Sequence, residues 1–202
     1  MKIFCVYKAE VFIQIMKILN ISKEEKAKII TILTGYPVAF ALSSDIPIIN
    51  GNIITTAILW IENNPQEPAN TVIGEIEITR RGIRDDFSHV AFPEKLAVLP
   101  VIRNVLEQGA YLGEKQDFRR MKIQNYYFAA PVAIDGNKKI VFVRVRKKGI
   151  GKRRFYIHDI YTLNEIKKSG ANKTTGTAQN VQNKGKAPDL YKSILYEVLY
   201  VK

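Results

Sequence analysis

The sequence predicts an α+β fold in which N-terminal helices pack on an antiparallel β-sheet, a meander, and three observations predict it. Helix signals come first, with Ser22-Lys-Glu-Glu opening one helix and apolar residues recurring at helical spacing after Pro93. From Tyr126 onward the apolar pattern switches to period two, as strands require. Between two of these runs lies Asp135-Gly136-Asn137, which suits a tight hairpin turn.

Taken in order, residues 1 to about 20 mix strand and helix preferences. Ser22 then caps a helix, with Glu25 as its capping-box partner, and Gly35-Tyr-Pro ends it. Between Val38 and Trp60 short apolar runs read equally as strands or as a strand and a helix. Asn63-Asn-Pro-Gln-Glu-Pro is a break. In Gly74-Glu-Ile-Glu-Ile-Thr the alternation predicts a half-buried strand, and Thr79 starts a helical stretch. The helix from Pro93 carries Leu96, Leu99, Ile102, Val105 and Leu106 and stops at Gly109, with Pro100 kinking it or opening a new first turn. Strands are expected over 126–134, 140–146 and 154–163, the last two joined by a loop at Gly149-Ile-Gly151.

These elements divide the chain into an N-terminal accessory region (1–70), an α+β domain (71–163), a flexible polar segment (164–189) too poor in apolar residues to offset its ordering entropy, and a C-terminal segment (190–202) that docks back. With 202 residues, 47% of them apolar, one principal core is expected.

The 31 Lys and Arg against 19 acids give a net charge of +12, which favours polyanionic partners: nucleic acid first, an anionic membrane second. Cys5 is the single cysteine, so neither an internal disulfide nor a cysteine-based zinc site can form, and no metal or cofactor is expected. Lys8 and Glu10 interrupt the apolar start and no small-residue cleavage site follows, so it reads as an ordinary amphipathic segment. No stretch reaches the roughly 18 apolar residues of a membrane span, and a soluble, cytoplasmic protein without a membrane partner is expected.

The chemistry concentrates in the last hairpin. If Val141, Val143 and Val145 face the core with Phe155 and Ile157, alternation puts Arg144, Arg146, Arg154, Tyr156 and His158 on the other face. Setting Val145 opposite Phe155 places Arg144 across from Tyr156 and Phe142 across from His158. Lys147, Lys148, Lys152 and Arg153 bring the basic residues of 144–154 to seven, with no acid among them. Such a face repels itself unless an anion sits on it, and guanidinium forks suit phosphate. Tyr126, Tyr127, Phe128 and Tyr156 offer rings for base stacking if exposed. The plainer alternative is a solvated edge hairpin that charge protects against aggregation.

His89 and His158 are the only histidines. Metal-independent RNA cleavage needs a base for the 2′-OH, an acid for the 5′-oxygen and cations for the charge on phosphorus. The expected roles are therefore His89 as general base or acid, His158 or Tyr156 as its partner, and Arg144 and Arg146 on the scissile phosphate. Arg84, Lys148, Lys152, Arg153 and Arg154 extend the phosphate-binding surface.

The run Gly74-Glu-Ile-Glu-Ile-Thr, Ile83-Arg, Phe87-Ser-His89, Leu99-Pro-Val-Ile, Gly109, Tyr127-Phe-Ala-Ala-Pro-Val, Val141-Phe-Val-Arg-Val-Arg and Phe155-Tyr-Ile-His-Asp-Ile resembles the nuclease-like domains of phage polyvalent proteins and bacterial polymorphic toxins, in the barnase, EndoU, colicin and RelE-like superfamily. The resemblance covers residues 74–163 through element order and local phrases. It implies a site on an exposed sheet face that cleaves RNA, tRNA among the candidates, to a 2′,3′-cyclic phosphate. The family's helix histidine corresponds to His89, its strand cation to Arg144 or Arg146, and its late-strand polar residue to Tyr156 or His158.

The resemblance also implies action in the producing or a target cell, with delivery in a phage particle or within a larger polypeptide. An immunity protein or antitoxin would be acidic, because it must cover the basic face. Two other readings stand beside the ribonuclease: a non-catalytic nucleic-acid-binding module, and a virion or interaction protein that keeps the fold without either activity.

Overall fold

The computed structural model describes residues 22–89, 93–116, 123–148 and 153–161, together with Ile166, Leu195, Tyr196 and Leu199. Residues 1–21, Lys152, the Gly149–Gly151 loop and nearly all of the polar segment expected over 164–189 lie outside the described residues.

Helix α1 (Lys23–Thr34) starts at the capping box expected of Ser22: its Oγ accepts from the Glu25 N–H at 3.1 Å, and the Glu25 carboxylate accepts from the Ser22 N–H at 2.7 Å. The ambiguous stretch after it resolves into a short strand, β1 (Ala39–Ala41), and helix α2 (Ile53–Asn63). Asn52 decides the second half, because its side chain accepts from the Thr55 N–H at 3.0 Å and opens the helix.

The strand expected over 74–79 is shorter. β2 (Ala69–Thr71) and β3 (Gly74–Ile76) form a separate two-stranded ribbon, and Ile76 and Ile78 are buried as their alternation with the glutamates requires. Thr79 then accepts from the Gly82 N–H at 3.1 Å and starts α3 (Arg80–His89). Pro100 does divide the next helix: α4 (Pro93–Val98) passes through a 3₁₀ turn at Leu99–Val101 into α5 (Ile102–Gln108).

The main sheet is mixed. β5 (Ile123–Ile134) and β6 (Asn137–Lys148) pair antiparallel along their whole length, and β7 (Arg153–Tyr161) pairs antiparallel on the far side of β6. The β5–β6 turn places Asp135 and Gly136 at φ 49° and 75°, as a two-residue hairpin that follows the strand twist requires. Asp135 also ties the turn to residue 43: its carboxylate accepts from the Ser43 N–H at 2.8 Å and hydroxyl at 2.6 Å, which holds the carboxyl below its ordinary range.

On its other edge β5 carries two strands end to end. β4 (Ala110–Gln116), a strand that periodicity did not announce, pairs antiparallel with residues 124–129. β1 pairs parallel with Val132–Ile134, so the sheet is not the pure antiparallel meander expected. A β-strand from the segment before residue 70 thus completes the sheet, and α2 packs in the same core as the later helices.

Both sheet faces are covered, by different layers. On the first, α2 to α5 bury Phe128, Ala130, Val132, Val141, Val143 and Val145. On the second, Ile29 and Leu33 of α1, with Ile166 and Leu195, cover Tyr127, Ala129, Ile140 and Phe142. The C-terminal stretch therefore contributes Leu195 to the second core.

Gly109 is required by space. A Cβ there would lie 2.2 Å from the Val105 carbonyl oxygen and 3.0 Å from that of Ala129, both backbone atoms with no freedom to withdraw. Gly109→Ala is expected to cost about 2–3 kcal/mol, read as a melting temperature lower by roughly 5–10 °C. An unchanged melting temperature would refute this account of the α5–β4 junction.

Candidate nucleic-acid interface

The second sheet face changes character along its length. At one end it is the apolar floor under α1. At the other, the pairing registers assemble two successive polar rows across four strands.

One row runs Gly113, Tyr127, Arg144, Tyr156, and the next Lys115, Asn125, Arg146, Arg154. Ile123 and Lys148 follow on the same face. Neighbouring strands are about 4.8 Å apart and successive same-face residues about 6.8 Å, so Arg144, Arg146 and Arg154 stand within one phosphate-sized neighbourhood at backbone level. Arg144 and Arg146 are half-buried, and their Nε atoms are inaccessible to solvent. Their floor is firm: Tyr127 is 5% and Asn125 6% exposed, and the Tyr127 ring lies 5.9 Å from that of Phe142.

The hairpin register agrees with the sequence reading through Val145 opposite Phe155 and Arg144 opposite Tyr156, then departs from it. Val143 pairs with Ile157 but Phe142 pairs with Asp159, so His158 is the extra residue of a β-bulge and does not stand across from Phe142. The bulge puts Asp159, not His158, in register beside the Arg144 row. Bulges re-aim side chains and are common near binding and catalytic sites.

The remaining residues divide between the faces. Lys148 holds a second-face position, whereas Arg153 pairs with Lys147 in the first-face alternation. Lys152 lies outside the described residues. Tyr127 and Phe128 are buried and do not present rings to a base, and Tyr126 packs on the first core.

Arg84 is exposed on α3, a helix that inserts Ile83 and Phe87 into the first core. His89 ends the same helix. The Asp86 carboxylate of α3 meets Lys95 of α4 at 3.0 Å, and the neighbouring Glu94 contacts Lys139. Lys139 sits five β6 residues from Arg144, about 17 Å along the strand. α3 thus lies over the first face, where it also packs along β7.

Two contributors escaped the sequence reading. Asn125 was hidden because β5 begins three residues before the expected start. Lys115 was hidden because β4 contains its own irregularity: the register shifts between Tyr111 and Gly113, and Gly113 has φ 109°. That glycine between apolar and charged residues was the available signal of a bulged strand.

Among the described residues no group of His, Cys, Asp and Glu could hold a metal ion, and no helix is long and apolar enough to cross a membrane. Comparison with protein families matches residues 52–157, slightly more than half of the chain, to large polyvalent protein-associated domain 3. No curated protein and no solved structure matches.

Proposed function

The chain belongs to the large polyvalent protein-associated domain 3 family, and within that setting we propose that it binds the phosphate backbone of RNA on the second sheet face. The observation that carries this reading is the pair of adjacent rows whose registers put Arg144, Arg146 and Arg154 at neighbouring second-face positions, over buried Tyr127 and Asn125. Guanidinium groups are suited to phosphate, and Lys148 extends the row toward the basic hairpin end. The test is fluorescence anisotropy with a labelled single-stranded RNA over a salt series. Binding should weaken linearly in log salt, and removal of these arginines should flatten the slope. A protein that blocked this face would itself be acidic.

The bulge supports a second reading, RNA cleavage at the same place. It sets an imidazole-bearing and a carboxylate-bearing residue next to the Arg144–Tyr156 pair. In that site Arg144 would hold the scissile phosphate while His158 and Tyr156 exchange protons with the 2′-OH and the 5′-oxygen. In this second reading His89 takes no part. Incubation with total RNA in EDTA separates the readings. Fragments ending in 2′,3′-cyclic phosphate, lost in His158→Ala and kept in His89→Ala, establish cleavage at the bulge. Intact RNA with a salt-sensitive complex leaves a binding module. Loss in His89→Ala instead would mean that the helix histidine reaches the scissile phosphate.

A further inference from the structure

A cleft of about 710 Å³ opens at β4; it shares Gly113 with the arginine rows but none of their cations. Its walls come from the two layers that cover opposite sheet faces: Ile29 and Ile32 of α1 on one side, Leu106 of α5 and Val72 of the β2–β3 turn on the other. A space bounded by both layers and by Ala110, Tyr111, Gly113 and Glu114 must lie along the strand edge. Among the described residues β4 pairs with β5 alone, so on either side of the bulge at Leu112 the main-chain groups not bonded to β5 are directed away from it, toward this space.

Two further features mark the cleft as a place of contact. Val72 is 79% exposed at its lip, a bare apolar side chain next to an apolar floor. Its charge is also opposite to that of the whole: in a chain of net charge +12, the rim carries Glu25, Glu107 and Glu114 against Lys28. Glu107 stays anionic, since the Asn70 N–H and the Arg103 guanidinium hold its carboxyl below the ordinary range. Tyr111 stays a neutral donor, its phenol pushed up to about 12 by burial and by nearby Glu114 and Tyr126.

We propose that this cleft binds an extended, apolar polypeptide segment bearing lysine or arginine, which adds as a strand to the edge of β4 that faces away from β5. An edge strand supplies main-chain hydrogen bonds in either register, and the flanking apolar walls select side chains on both sides of the added strand. Residues 110–114 offer up to about 17 Å of edge, bent at the bulge between Tyr111 and Gly113, for about four or five residues of partner. The acidic rim then selects basic side chains over acidic ones.

The probe is a labelled peptide of four lysines alternating with three valines, with a glutamate-for-lysine peptide as control, measured by anisotropy on the full chain. The lysine peptide should bind and the glutamate peptide should not. Val72→Lys and Glu114→Lys, both at exposed positions, should each weaken binding about tenfold without shifting the melting temperature.

N-methylation tests the strand geometry. Methylating the valine amides or the lysine amides should abolish binding in one set and spare it in the other, because only alternate amides of an added strand face the edge. Equal loss in both sets, equal binding of the glutamate peptide, or indifference to both substitutions would each overturn the proposal. So would a dimer in sedimentation that Val72→Lys dissociates, since the cleft would then belong to a second copy.

Discussion

Lys95→Met is expected to destabilise the fold by about 3–5 kcal/mol. The Lys95 and Asp86 side chains are 2% and 4% exposed, their Nζ and Oδ1 atoms are 3.0 Å apart, and the ammonium also lies 5.3 Å from the Phe87 ring centroid. The pair joins the last turn of α3 to the first turn of α4, in the middle of the first core. Removing the cation leaves a carboxylate where water cannot reach it, and that uncompensated charge, not the lost attraction, sets the size of the effect. Against a total stability of order 5–15 kcal/mol, such a loss leaves a thin margin.

The paired replacement of Lys95 by Met and Asp86 by Leu should recover most of the stability, because it removes both charges and keeps the volume. Urea unfolding of the two variants beside the wild type measures the difference through the shift in midpoint at constant slope. Equal losses in the single and the double variant would show that packing, not charge, dominates. Should Lys95→Met fail to fold at all, recovery of a folded chain by adding Asp86→Leu makes the same point.

For RNA, the largest expected change comes from replacing Arg144, Arg146 and Arg154 together with alanine. Each is expected to hold one phosphate, and each contact to a single strand contributes about 0.7 to the slope of log affinity against log salt, so the triple variant should flatten it by about 2. Each single substitution should weaken binding by roughly tenfold, the scale of one charge-assisted hydrogen bond.

Arg84→Ala is the internal control. Arg84 is an exposed arginine carried on the helix that packs against the first face. If its loss flattens the slope as much as the loss of Arg144, binding follows net charge and not the rows on the second face. A triple variant with unchanged affinity would remove the arginine rows from the interface altogether.

Much of the architecture was legible before any coordinates. Ser22 and Glu25 announce a helix start because their reciprocal bonds are local. Pro100 breaks a helix through its own ring and missing N–H. Asp135-Gly136 forms its turn because the backbone must adopt positive φ there. The opposition of Arg144 to Tyr156 followed from alternation once Val145 was set opposite Phe155. The arginine rows were readable for the same reason: a period of two assigns faces without knowledge of what covers them.

What covers each face was not readable. Sequence periodicity marks a buried face but is silent on which helix buries it, so placing α3 against Val141, Val143 and Val145 required the tertiary packing. The same limit hid the parallel docking of β1 beside the antiparallel β4, because strand partners far apart in the chain leave no local trace. The bulge at His158 has the same origin. One extra residue in β7 is compatible with its sequence in either register, and only the neighbouring strand reveals which residue is left out. The sequence by itself therefore determined the basic character of the hairpin, its alternation and the ends of its helices, all local properties of backbone and charge. Only the tertiary structure decided which faces those residues share, because that depends on long-range contacts between elements.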